Sequence, residues 1–224
     1  MMHQQKGKKF LIYLFLLIVL SSTNNFKLND VKFFKIADIK INGLNNAEKK
    51  NILEDIRKLD LKNIFFFKSK EIDTILSSNN LVEKYYITKK YPSTIHINIE
   101  KTNFLARIKN QNQIYLVGSN GKLSKNNYSK NNLPFIFGTP DIIEFLQFKK
   151  IIDSSKLSYE EIKNLYYFSS KRWDLKLKNN ILIKLPKITT HNFLDNLVEF
   201  LKNSNLRDIR IVDARIKNQI IVNE

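Results

Sequence analysis

An uncharged, strongly apolar run, FLIYLFLLIVL, extends from Phe10 to Leu20 directly behind three lysines, Lys6, Lys8 and Lys9, with no acid before it. A segment like this at the extreme N-terminus fits poorly into a water-soluble core. Eleven apolar residues match the core of a secretion signal, while Phe10–Phe26 supplies 17 uncharged residues, the lower limit for a membrane-spanning helix. At 1.5 Å per residue those 17 cover about 26 Å, which suffices if flanking lysines snorkel. The residues show no A-x-A cleavage site, although Val19-x-Ser21 and Ser21-x-Thr23 are weak substitutes. An uncleaved anchor over residues 10–26 is the expectation and a cleaved signal the alternative. In both cases the basic flank keeps residues 1–9 in the cytoplasm and sends the rest across.

Composition removes many function classes. The chain has 224 residues and no cysteine, so it has no disulfide framework, thiolate nucleophile or Cys-type zinc site. Its five glycines are too scattered for a GxGxxG loop, and its three histidines too far apart for a local metal pair. No cofactor is implied. The net charge of +17 comes from 32 Lys and only 6 Arg, spread along the chain and mixed with acids. Nucleic-acid readers rely on Arg forks or clustered charge, so nucleic-acid binding is not expected. Attraction to an anionic membrane surface needs no such motif.

After residues 24–34 comes a β-α-α-β-β order. Ile36–Asn42 alternates, with Ala37, Ile39 and Ile41 on one face, and Gly43 ends the strand in a turn. Asn45 and Glu48 have capping-box spacing ahead of a helix whose face is Ile52, Leu53, Ile56 and Leu59. A second helix starts near Ser69, with Ile72, Ile75 and Leu76 as its stripe. Strands follow at about Leu81–Lys89 and Thr94–Glu100, joined through Tyr91-Pro92. His96 falls on the polar face of the last strand and reads as a solvated side chain.

This segment resembles a POTRA domain. Lys89-Lys90-Tyr91-Pro92-Ser93-Thr94-Ile95-His96-Ile97, with Glu100-Lys101 and Ala106 beyond it, is similar to that family's "Y-P-x-T-(I/L)-x-I-x-I-x-E-(K/R)-x-P-x-A" run, with Asn103 in place of Pro.

The remaining residues do not repeat that pattern. Hairpins are expected for Phe104–Lys109 with Gln113–Val117, for Trp173–Lys178 with Ile181–Leu185, and for Ile209–Ile216 with Gln219–Val222. Gly118–Gly121 reads as a turn and Leu133–Phe137 as a short strand. Helical periodicity covers Asp141–Ser154, Ser158–Phe168 and a stripe of Phe193, Leu194, Leu197, Val198 and Leu201. Asp153, Glu160 and Glu161 read as exposed helix residues, and no nucleophile–base spacing stands out.

This half resembles the membrane-distal β domain of the FtsQ/DivIB cell-division family. Trp173–Leu185 is similar to "W-x-L-x-L-x-N-G-x-x-(I/V)-x-L", with Asn180 in place of Gly, and Ile211–Ile216 to "(V/I)-D-(L/M)-R-Y", with Ile216 in place of Tyr. The expected fold is therefore α+β: tail 1–9, transmembrane anchor 10–26, POTRA domain 35–102, and a mixed β domain with flanking helices over 103–224. The resemblance implies a non-enzymatic divisome scaffold at the division site of the inner membrane, its bulk periplasmic. Such scaffolds recruit the small membrane proteins FtsB and FtsL and link them to septal peptidoglycan synthesis; other divisome proteins would meet the POTRA domain. It also implies that FtsB adds a strand at the C-terminal edge, here Arg215, Ile216, Lys217, Asn218, Gln219, Ile220, Ile221 and Val222. The alternative is a POTRA-bearing chaperone or envelope assembly factor.

Overall fold

The computed structural model describes residues 4–23, 34–61, 63–125, 132–203, 209–217 and 219–223. Helix α1 (Gln4–Thr23) contains the apolar run, and every residue from Phe10 to Leu20 is exposed. No helix among the described residues is long and apolar enough to cross a membrane. Lys6, Lys8 and Lys9 occupy the start of α1, so its uncharged part is Phe10–Thr23, about 21 Å at 1.5 Å per residue. Residues 24–26 of the expected span lie outside the described residues.

The chain divides into two compact units, Met1–Lys101 and Thr102–Glu224. In the first, β1 (Asp38–Asn42), α2 (Asn46–Arg57), α3 (Lys70–Ser78), β2 (Val82–Lys90) and β3 (Thr94–Lys101) follow in β-α-α-β-β order. Strand β3 is central, parallel to β1 and antiparallel to β2. Its alternation puts Ile95, Ile97 and Ile99 inward, where they meet Ile52 and Ile56 of α2 and Ile72 and Leu76 of α3. Each fully buried Ile of this kind contributes roughly 1.5–3 kcal/mol.

The capping box is present: the Glu48 N–H donates to Asn45 Oδ1 at 2.9 Å, and the Asn45 N–H to Glu48 Oε2 at 3.2 Å. Buried Glu48 also pairs with Lys101 at the end of β3, so one side chain caps α2 and ties it to the sheet. Gly43, at φ 93°, turns the chain between β1 and α2.

The second unit is a nine-stranded mixed sheet with helices α4 (Ile142–Asp153) and α5 (His191–Asn203). Its strands are β4 (Phe104–Asn110), β5 (Gln113–Gly118), β6 (Leu123–Lys125), β7 (Phe135–Phe137), β8 (Ile162–Tyr167), β9 (Trp173–Leu177), β10 (Leu182–Lys184), β11 (Ile211–Asp213) and β12 (Ile221–Asn223). They lie in the order β12-β11-β10-β9-β8-β7-β4-β5-β6. Non-glycine residues supply left-handed turn positions in three hairpins: Gln111 (φ 44°) and Asn112 (φ 64°) between β4 and β5, Lys171 (φ 63°) between β8 and β9, and Asn180 (φ 68°) between β9 and β10.

One expectation fails here. Ser158–Phe168 is not a helix but a single 3-10 turn, Tyr159–Glu161, followed by strand β8. The ladder between β8 and β9 is irregular between Ile162 and Asn164, so Ile162 and Leu165, three apart, are both buried. A bulge thus imitates helical spacing. Strand β6, which returns on β5 after the Gly118–Gly121 turn, is too short at three residues to leave a periodic pattern in the sequence.

A test of the first unit follows from Gly43. A methyl group there would lie 1.7 Å from the Ile99 carbonyl oxygen, in a backbone region that L residues rarely adopt. Gly43→Ala should destabilise the first unit by more than about 2 kcal/mol. Faster amide exchange at Ile95, Ile97 and Ile99 would report it, and unchanged exchange would refute it.

Candidate partner-binding edge

Facing residues across the second sheet line up in rows. One row runs Ile108 (β4), Ile136 (β7), Leu165 (β8), Leu175 (β9), Ile183 (β10), Val212 (β11) and Val222 (β12). Its members as far as Val212 are buried and share one core with Phe145, Phe148 and Ile152 of α4 and Leu194, Leu197, Val198 and Leu201 of α5. The ring of Trp173 lies flat on that of Phe148, with centroids 5.0 Å apart, and fixes α4 to the sheet. Such an aromatic pair is worth roughly 0.5–1.5 kcal/mol beyond its buried area.

The row does not end in cover. Val222 is its last member and is 44% exposed, whereas Val212 beside it is fully buried. Among the described residues, strand β12 pairs with β11 on one side only and ends the sheet. Its other side offers backbone N–H and C=O groups to an incoming strand, as a sheet edge does. Half-buried Ile220 packs against the core just before β12, and exposed Ile221 points to the opposite face.

That opposite face carries a ladder of alternating charge. Asp174, Lys184 and Asp213 are direct neighbours across β9, β10 and β11. Asp174 is buried; it accepts two bonds from Arg172 and one from the Leu185 N–H. Asp213 accepts Arg215 Nε at 2.8 Å and 3.0 Å, and also the Arg215 N–H. The Arg215 guanidinium holds the Asp213 carboxyl below the usual carboxylate range, and the carboxylate in turn raises Arg215.

The expected contact stretch, Arg215–Val222, is only partly strand. Ile221 and Val222 belong to β12, which continues to Asn223. Arg215, Ile216, Lys217, Gln219 and Ile220 form the connection from β11, closed by the Gln219 N–H donating to the Ile216 carbonyl at 3.2 Å. Asn218 lies outside the described residues. Ile216 is 55% exposed at this turn. Arg215 is bidentate to Asp213. Arg215 lies two residues beyond Asp213, the last residue of β11, and that i, i+2 spacing is the sequence signal for the pairing.

No cluster among the described residues could hold a metal ion. Glu144 accepts from both Tyr167 Oη and Lys171 Nζ, which lower its carboxyl, so it is a satisfied acceptor. Burial pushes the Tyr159 phenol up, and its hydroxyl donates to the Leu105 carbonyl at 3.0 Å. Asp153 pairs with Lys149.

Comparison with known proteins identifies two family matches along the chain. Residues 34–101 match the family model for the POTRA domain, FtsQ-type, and residues 106–215 that for the cell division protein FtsQ/DivIB, C-terminal. The cell division protein FtsQ of Rickettsia typhi is 23% identical over 210 residues, covering 89% of this chain and 76% of that protein. The FtsQ of Rickettsia bellii is 26% identical over 211 residues, with the same 89% and 76%. That of Bradyrhizobium diazoefficiens is 22% identical, covering 84% and 56%. The solved major extracytoplasmic domain of DivIB from Geobacillus stearothermophilus is 14% identical and covers 44% of this chain and 87% of that one, at a TM-score of 0.33.

The Asp213–Arg215 pair makes a pH prediction. A carboxyl with a lowered folded-state pKa adds stability above its unfolded value, and that stability is lost as pH falls through the folded value. In an NMR titration Asp213 should titrate below its ordinary 3.8. Arg215→Gln should raise the midpoint toward that value. An unchanged midpoint would mean that the pair does not persist in solution.

Proposed function

The chain belongs to the FtsQ/DivIB family of cell-division proteins, and from that premise we propose that it is a non-catalytic scaffold of the bacterial divisome. Its partners are the small membrane proteins FtsB and FtsL, which it joins to the machinery of septal peptidoglycan synthesis. The observation that carries this reading is the uncovered end of the second sheet, where an apolar row reaches the edge strand β12 and stops at exposed Val222. A partner strand laid on β12 satisfies its open backbone groups and extends the row by one residue. Ile221 and Ile216 offer apolar contacts on either side of the added strand. Arg215 takes part through the donors that Asp213 leaves free.

The N-terminal segment supports the membrane part of the reading. Residues 1–9 remain in the cytoplasm, residues 10–26 attach the chain to the inner membrane, and the two units work in the periplasm at the division site. The apolar run of α1 is exposed all round and joins neither core, so it has no role in the fold that burial would explain. The short uncharged stretch requires local thinning of the bilayer or snorkelling of Lys9. The POTRA-like unit, residues 35–102, leaves further surface for other divisome proteins.

Binding of the full chain, held in lipid nanodiscs, to a purified FtsB–FtsL complex tests the edge. Val222→Glu places a charge at the end of the apolar row and Ile221→Asp one on its outer face. Each should weaken binding at least about tenfold, a loss of roughly 1.4 kcal/mol. Both residues are exposed in the free chain, so the thermal unfolding midpoint should hardly move. Wild-type affinity in both variants would place the interface elsewhere.

A further inference from the structure

Outside α1, four large aromatic residues of the first unit are exposed among the described residues: Phe65, Phe66, Tyr86 and Tyr91. Two of them, Phe65 and Tyr91, meet in one place. The ring of Phe65 meets Phe34 edge-on at 4.7 Å and Tyr91 at 5.0 Å, and Phe66 stands beside them in sequence, 57% exposed. Three chain segments supply the cluster, and each brings lysine with its aromatic: Phe34-Lys35, Phe65–Lys68 and Lys89–Tyr91.

The cluster is built rather than frayed. The Ile64 N–H donates to the Phe34 carbonyl at 3.0 Å, clamping the incoming chain to the loop. Asn63 Oδ1 accepts the Phe65 N–H at 2.9 Å and turns the loop outward. Lys89 Nζ reaches the Phe65 carbonyl at 3.4 Å and lies 5.6 Å from the centre of the Phe67 ring. Lys35, Lys68 and Lys90 are exposed, and two carboxylates, Asp60 and Glu71, line a hollow with Phe66 and Lys68.

We propose that this aromatic and lysine cluster is a docking surface for the anionic headgroup layer of the bilayer that holds α1. The inference rests on the reading of α1 as the membrane attachment. Three observations carry it. The cluster begins at Phe34, where the chain enters the folded unit. Thr23, the end of α1, is eleven residues away, a reach of at most about 38 Å. Aromatic rings flanked by lysines have the chemistry of the headgroup boundary, where the rings settle among the glycerol and upper acyl groups while ammonium groups meet phosphate. Seating it there orients the first unit on the membrane, so that the linker is a tether to a docked body.

The chain has no native cysteine, so one introduced at Phe66→Cys carries a single polarity-sensitive dye, and Glu54→Cys on the exposed side of α2 carries the control. The full chain is reconstituted in phosphatidylglycerol-containing vesicles bearing a headgroup nitroxide, with circular dichroism recorded on every variant. Quenching at position 66 should exceed that at position 54 by at least about threefold. Reversing Lys35, Lys68 and Lys90 to Glu, or using phosphatidylcholine alone, should cut the difference by about half or more. A chain that floats with the vesicles but quenches equally at both positions overturns the docking and leaves the anchor standing. A chain that does not float overturns both. Shielding of position 66 that arises without lipid and grows with protein concentration marks self-association and overturns the membrane assignment.

Discussion

A sheet with one buried face needs its apolar row covered along its whole width, and the second unit leaves one end of that row open. From Ile108 to Val212 six strands contribute one buried residue each, and α4 and α5 cover them. The seventh member, Val222, emerges into solvent on a strand of three residues. The rest of the unit follows from this arrangement. Trp173 stacks on Phe148 to hold α4 at the centre of the sheet, and α5 connects the parallel strands β10 and β11 that carry the row toward the edge.

Open edges invite pairing with any exposed strand, and folded proteins blunt them with charge, proline or short length. Here β12 is short and otherwise unprotected: its residues are Ile221, Val222 and Asn223. Charge is set one strand back, in the Asp213–Arg215 pair and the alternating ladder behind it. The sheet therefore sets its paired charges one strand in from an uncharged, three-residue last strand. That combination suits recruitment by strand addition, because the short edge has backbone groups ready for a partner and no charge in the way.

The sequence shows much of this framework and hides its exceptions for physical reasons. Strict alternation over Ile95–Ile99, the Asn45/Glu48 box and the stripe Leu194, Leu197, Val198, Leu201 each arise from one regular element and are legible without coordinates. Asn180 marks its turn because Asn tolerates the left-handed region almost as well as the glycine it replaces. Strand β8 misleads because a bulge changes the spacing of Ile162 and Leu165 from two to three. At the site, the sequence places Ile221 and Val222 on the final strand but starts that strand at Gln219 and carries the strand before it on to Ile216. The structure instead makes residues 215–217 and 219–220 a connection, since Arg215 is held back by Asp213 and Ile216 accepts a turn bond. The end of the apolar row at Val222 depends on the registers of six strand pairs, which no local pattern encodes.

Amide hydrogen exchange at Ile221, Val222 and Asn223, with and without the FtsB–FtsL complex, tests strand addition at β12 most directly. In the free chain, those amides of β12 that point away from β11 should exchange rapidly, while Val212 and Ile183, deep in the same row, remain protected. Partner binding should slow the outward amides by at least about tenfold, as new backbone hydrogen bonds form. Unchanged exchange along β12, with protection gained on another surface, would contradict the account.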